Sequence, residues 1–466
     1  MIARRVLLAF VVAAVGCAGS SEPAVTPVVR PTAAQSSALD PLAHFQCPVG
    51  PSPLVNQSRT LATDETWTAD HVYMVTGIIE TGAHSLRIEA GTVVCFDLGG
   101  IVVGAGGAFA VNGTPEQHVT FTHQLSGHSG VFWMGTTLEG GFSKTALRNL
   151  DVYDATAVLA SSSSVAPLPN DPAVELDGVH VYYAQGTPMQ LLGPNGWSGT
   201  ATIHSYSYAT LVQSGPINLP PVVVSSAAGI AMLTATSLVV DSAVPEAARV
   251  IEIYDETLSA SLRLRPLGFQ YRTRRNLVLA GAATAPAVLT IDAGVCLEVG
   301  GRLEVGTANG GYGDLIALGT ADAPVTFKNV PSANEWQGIV FSMQGANANV
   351  SKLDFVAMDG AGDPYWLPPV YNCSDHQTNV GAMISIMGPS ANITYLAPSI
   401  THSRFTNPQP GADGIRTECN ELTYKCARND YSSSATGNQY VGFAAACDPT
   451  AKNGACAERE VSWCSR

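Results

Sequence analysis

The sequence predicts an all-β chain, built either as a solenoid or as a sandwich. A landmark series that occurs twice is the first reason. Leu86-Arg87-Ile88-Glu89-Ala90-Gly91 is followed by Gly113-Thr114, Val119-Thr120-Phe121-Thr122, Trp133-Met134-Gly135 and Leu150-Asp151-Val152. About two hundred residues later come Leu289-Thr290-Ile291-Asp292-Ala293-Gly294, Gly319-Thr320, Val325-Thr326-Phe327-Lys328, Trp336-Gln337-Gly338 and Leu353-Asp354-Phe355. Recurrence in one order at this period marks repeat architecture. The second reason is strict alternation within each landmark, and the third is the lack of a sustained helical pattern beyond the extreme N-terminus.

The elements follow in order. Leu86, Ile88 and Ala90 share one face of a strand, with Arg87 and Glu89 on the other. Leu289, Ile291 and Ala293 oppose Thr290 and Asp292 in the same way. The expected register turns Leu86, Ile88, Leu289 and Ile291 inward and Glu89 and Asp292 to solvent, since a slip of one residue would invert every side chain. Gly91 and Gly294 end these strands where a bend or positive φ is required. Thr92, Val94 and Phe96, and Val295, Leu297 and Val299, read as inward positions of the next strands. Asp151 and Asp354 fall at one position of the series, which favours a structural role for both.

The order strand, Ala-Gly, strand, Gly-Thr, Val-Thr-Phe, Trp-x-Gly resembles that of the right-handed parallel β-helix family, the pectin-lyase-like fold of bacterial surface proteins. Trp67-Thr68-Ala69-Asp70 with Tyr73-Met74-Val75-Thr76-Gly77 resembles the opening strand of such modules, and Tyr271 to Gly281 is a looser counterpart. The resemblance implies one β-helix over residues 62–370, with a duplicated module at 67–155 and 271–360. Residues 371–466 are expected to hold the final coils and a Cys-rich, disulfide-stapled C-terminal cap. Residues 160–265 read as further coils with excursions.

Residues 1–16 have the layout of a secretory signal: Arg4 and Arg5, an apolar run from Val6 to Val15, then Gly16. The run is too short to span a bilayer. Ala14-Val15-Gly16-Cys17 resembles a bacterial lipobox, which implies lipidation of Cys17 and retention at the outer membrane. Residues 17–61, rich in Ser, Thr, Pro and Ala, read as a flexible tether. Ten cysteines in an exported chain read as disulfides, and Cys373, Cys419, Cys426, Cys447, Cys456 and Cys464 are the candidates for the cap. Cys95 and Cys296 both take the outward parity of their strands and stand too many coils apart to pair with each other.

A net charge of −14 argues against nucleic acid, which needs a basic patch. Arg272, Arg274 and Arg275 form the one basic cluster past the N-terminus and read as decoration of a solvent face. No phosphate-binding loop, nucleophile elbow, zinc signature or calcium loop is present, so neither metal nor cofactor is expected. The motifs of polygalacturonase-like members of the fold are missing too. The candidate ligand-binding loop follows Asp359-Gly360-Ala361-Gly362. There Tyr365, Trp366 and Tyr371 could present ring faces to a sugar, with Asp363, Asp375 and His376 as polar partners. His402, Asp413 and Arg416 are weaker candidates. The expectation is a lipid-anchored protein of the outer membrane, at the cell surface or periplasmic face, with a structural, adhesive or polysaccharide-binding role and no catalysis. Its partners would be polysaccharide or another surface protein. The alternative is a polysaccharide lyase or glycoside hydrolase on the same fold.

Overall fold

The computed structural model describes residue 47 and residues 54–462, except 98, 124–134, 162–173, 193–195, 208–209, 212–213, 215–218, 308–309, 331–335, 343–349, 363–381, 387–397, 409–411, 420–435, 442 and 444–457. Among the described residues, every pairing between named strands is parallel, which excludes the sandwich. A fourteen-stranded sheet runs from Arg59–Thr60 to Gln439–Val441 without a break. An eleven-stranded sheet lies beside it in the first half, and sheets of seven and five strands in the second. Parallel strands need a crossover between them, and here the remaining strands of each coil supply it. The fold is a parallel β-helix, a quasi-one-dimensional stack in which each coil meets its neighbours.

Inward rows explain why these residues form these strands. Trp67, Ile88, Val111, Leu147 and Leu176 are successive partners across five strands. Tyr73, Val94, Phe121, Val152, Val181, Ile203 and Val240 form a second row. Nearly all of these side chains are buried, each contributing about 1.5–3 kcal/mol of apolar transfer. Phe96 and Phe121 meet edge to face with centroids 5.4 Å apart. The expected register holds. Leu86, Ile88, Leu289 and Ile291 are fully buried. The side chains of Glu89 and Asp292 are 33% and 25% exposed, bridged respectively to Arg87 and Arg263.

Pairing begins at Leu54–Asn56, which partners Tyr73–Val75, and thus inside the segment read as a tether. Cys47 is bonded to Cys95 with Cα atoms 5.9 Å apart. This explains why Cys95, on an outward parity, is fully buried. Cys296 is also disulfide-bonded, and not to Cys95. The middle of the chain continues the coils: Leu159–Ser161, Met189–Leu191, Val223–Ser225 and Val250–Ile253 are consecutive strands of the long sheet. A short helix, Ala227–Met232, is inserted there and capped by Ser226, whose hydroxyl accepts from the Gly229 amide.

The glycine of the Trp-x-Gly landmark is duplicated in conformation as well as sequence. Gly135 has φ 93° and Gly338 φ 91°, and each opens a strand. The two modules nevertheless differ in placement. Val93–Phe96 belongs to the eleven-stranded sheet, whereas its counterpart Cys296–Val299 belongs to the long sheet. Equivalent strands therefore stand one face apart around the stack.

The match between Asp151 and Asp354 does not survive in space. Asn112 partners Arg148, and Leu318 partners Asp354. The Gly113 amide donates to the Arg148 carbonyl and the Gly319 amide to that of Asp354. Asp354 thus corresponds to Arg148. Asp151 corresponds to Ala357, because Thr120 partners Asp151 and Thr326 partners Ala357. The two acids lie on opposite sides of an equivalent left-handed corner residue, Asn149 (φ 45°) in one module and Phe355 (φ 49°) in the other: Asp151 follows the corner and Asp354 precedes it.

Candidate functional site

Asp363, Tyr365, Trp366, Tyr371, Asp375 and His376, the expected ligand loop, lie outside the described residues, as do Cys17, Cys373, Cys426, Cys447, Cys456 and Cys464. Cys419 closes the strand Asp413–Cys419. The strand Val356–Asp359 leads into the loop, and Asp359 Oδ1 accepts from Thr406 Oγ1 at 2.8 Å and from Asn407 Nδ2 at 2.7 Å. The Asp354 carboxylate similarly accepts from Thr401 Oγ1 and from His402, both at 2.8 Å, while the His402 ring stacks on Phe355. These acids lace one coil to the next. Asp413 and Arg416 are buried in the strand that partners Ala382–Ile386.

A polar ladder that the sequence reading passed over lies on the outward face of the eleven-stranded sheet. Asp151 partners His180, which partners Thr202, and Tyr153 partners Tyr182. His118 Nδ1 stands 3.1 Å from Asp151. His204 Nδ1 is 2.6 Å from Asp241 Oδ2, and His204 Nε2 is 3.0 Å from His180 Nδ1. A carboxylate on Nδ1 of His204 makes that nitrogen the donor, so Nε2 accepts from His180 and leaves His180 Nε2 as an acceptor. The ring centres of the two histidines are 5.3 Å apart against 3.0 Å between nitrogens, so the rings meet edge to edge. A metal ion has no room between nitrogens joined this way, and among the described residues no three His, Cys, Asp or Glu side chains gather to hold one.

Burial pushes His180 below the ordinary imidazole value, with Asp151 pulling the other way. Burial, then the neighbouring Asp151, pushes Tyr153 up to about 12, and burial also raises Tyr182. At neutral pH the ladder therefore offers neutral phenols and a neutral imidazole. Tyr153, Tyr182 and His204 are stacked face to face at 4.9 and 4.3 Å, so their inner ring faces are already used and mainly edges remain for a ligand. The signal was present in the sequence as Leu-Asp-Val-Tyr-Asp-Ala at 150–155 and Val-His-Val-Tyr-Tyr-Ala at 179–184.

A second ladder follows the outward row of the long sheet, where Glu252 partners Arg272, Arg272 partners Glu298, and Glu298 partners Lys328. Arg272 Nε lies 2.7 Å from Glu298 Oε2, and Lys328 Nζ lies 3.3 Å from Glu298 Oε1. Arg274 pairs with Glu252, and Arg275 with Glu256 at 3.3 Å. The reading of the three arginines as solvent decoration is corrected at Arg272, which is buried because charged neighbours on both sides cover and neutralise it. Burial raises Glu252 above the usual carboxylate value although Arg274 and Arg272 pull it back.

Family models, curated proteins and solved structures yield no match to this chain. Its chemistry is therefore read from its own side chains.

Asp314 is buried, with Ser351 Oγ donating to it at 3.1 Å, and burial pushes its carboxyl up to about 6. Its folded value exceeds the unfolded one, so the folded state holds the extra proton between about pH 4 and 6 and loses stability as pH rises through that window. The loss is about 2–3 kcal/mol. Asp314→Asn should remove this slope and raise the unfolding midpoint above pH 6, checked by thermal melts from pH 4 to 8. A wild-type midpoint flat across that range would contradict the assignment.

Proposed function

We propose that the chain is an exported, lipid-anchored β-helix that displays a polysaccharide-binding or adhesive surface at the outer membrane and carries out no covalent chemistry. The pectin-lyase-like resemblance of the landmark series and the lipobox-like Ala14-Val15-Gly16-Cys17 support that reading. So does the Cys47–Cys95 bond, which needs an oxidising compartment. The observation that carries the binding role is the arrangement of the outward polar groups into rows along the stack. Such rows extend with the coils and suit an extended partner. Glycoside hydrolysis instead gathers two carboxyls about 5–9.5 Å apart. Asp151 and Asp241 are separated by three strand steps, about 14 Å at the ~4.8 Å spacing of a sheet.

A second reading, a polysaccharide lyase or hydrolase, has one observation in its favour. The Asp241–His204–His180 relay leaves an imidazole acceptor of the kind a general base uses. One experiment separates the two. Binding to immobilised polysaccharides is measured beside reducing-sugar release and absorbance near 235 nm, for the wild type and for His180→Ala with His204→Ala. Binding without product is expected. Product formation that disappears in the double variant would establish the enzyme.

Anchoring has its own test. Cys17→Ser is expected to leave the protein exported and to move it from the membrane fraction to the soluble one. Wild-type protein that takes up no radiolabelled fatty acid would rule the anchor out.

A further inference from the structure

At one corner of the stack the long sheet turns into the next, and the turns after Ile253 and Thr273 enclose a cleft of about 470 Å³. That volume lies within the range of small-molecule sites. Its floor is Glu252, only 4% exposed at the side chain and held by Arg274. On the rim Tyr254 is 54% exposed, one of six large apolar or aromatic side chains left open among the described residues. Asn276 and Arg275 also line the cleft. Asn276 Oδ1 accepts from the Arg302 amide at 3.0 Å, which leaves Nδ2 as a donor. Asp255 accepts from the Ala227 amide at 2.5 Å and so ties the short helix to the rim.

Tyr254 is exposed and its ring stacks on no other described ring, and an exposed aromatic ring suits the C–H face of a pyranoside. Each sugar hydroxyl both donates and accepts. A guanidinium with spare N–H groups beside a carboxylate with spare lone pairs satisfies both needs at once. Charge narrows the ligand. Glu252, Asp255 and Glu256 outnumber Arg274 and Arg275, and both arginines are already paired. Among the described residues, no unpaired cation lines the cleft to receive a uronate.

We propose that this corner cleft is a binding subsite for a neutral pyranoside unit, with Tyr254 as the stacking platform and Glu252, Arg274, Arg275 and Asn276 as hydrogen-bonding groups. The assignment rests on the polysaccharide-binding reading and gives it a place and a ligand class. The test is calorimetric titration of the full chain with neutral gluco-, manno- and xylo-oligosaccharides and with galacturonate oligomers. It covers the wild type, Tyr254→Ala, Tyr254→Phe and Arg275→Ala. Both positions are exposed, so the variants should keep the wild-type melting curve. Tyr254→Ala and Arg275→Ala should each weaken a neutral oligosaccharide at least tenfold, and Tyr254→Phe, which keeps the ring face, should retain it. Wild-type binding that survives Tyr254→Ala would overturn the cleft and leave the broader reading standing. Tighter binding of galacturonate would overturn the ligand class. If the wild type binds none of these saccharides, both readings fall.

Discussion

Glu298→Ala should lower the free energy of unfolding by about 3–5 kcal/mol, because it removes the hydrogen-bonded partner of a buried cation. Glu298 is 3% exposed at the side chain and touches Arg272 at 2.7 Å and Lys328 at 3.3 Å. Lys328 can turn its ammonium to water, but Arg272 is buried and cannot. Glu252 would remain on the other side of Arg272 but is already paired with Arg274, so it offsets the loss only in part. Glu298→Met combined with Arg272→Met should recover most of the loss, since a matched apolar pair commonly does as well as a buried ion pair. Urea titration of the three variants decides it. A single-variant loss below about 1 kcal/mol would show that water reaches the ladder.

A backbone position should show an effect of similar size. Gly338 has φ 91°, and a Cβ placed there would sit 2.3 Å from the Met383 carbonyl oxygen and 2.7 Å from that of Ala382. Those carbonyls belong to the adjacent coil, so relief requires two strands to separate. Gly338→Ala should cost at least ~3 kcal/mol, the sum of left-handed strain and this clash. Gly294 provides the control. Its φ is 78°, but the nearest atom to an added Cβ is the Ala323 Cβ at 3.7 Å. Gly294→Ala should therefore cost only about 1–2 kcal/mol, the conformational part alone. Equal losses in the two variants would mean that the coils near Gly338 can part.

The fold was legible in the sequence because an inward row imposes a period of two on every strand that contributes to it. Leu86, Ile88, Leu289 and Ile291 could be placed without coordinates for that reason. Contacts between coils were less legible. Asp151 and Asp354 look equivalent in the chain, yet Asp151 follows the left-handed corner at Asn149 and Asp354 precedes the matching corner at Phe355, because the second module has three more residues between its Trp-x-Gly glycine and that corner. Cys95 showed its outward parity and gave no sign of the segment that covers it. The ladder of His118, His180 and His204 joins residues 24 to 37 apart with their acids, distances over which no local motif forms. Arg272 looked like a surface cation because its neighbours in the chain are polar. Its neighbours in space, Glu252 and Glu298, bury it.

The displacement of the second module by one face would set the valency of the proposed binding surface. Had both copies kept the same azimuth, one filament lying along the stack could have gripped both in succession and gained avidity from a single molecule. With equivalent strands on different sheets, a straight, rigid partner that reads them meets one copy and then runs past the other. Two such partners, approaching from different sides, would then be held at once. If the proposed binding role holds, the duplication would make the solenoid a bridge between neighbouring chains of a matrix, with each module serving as one arm.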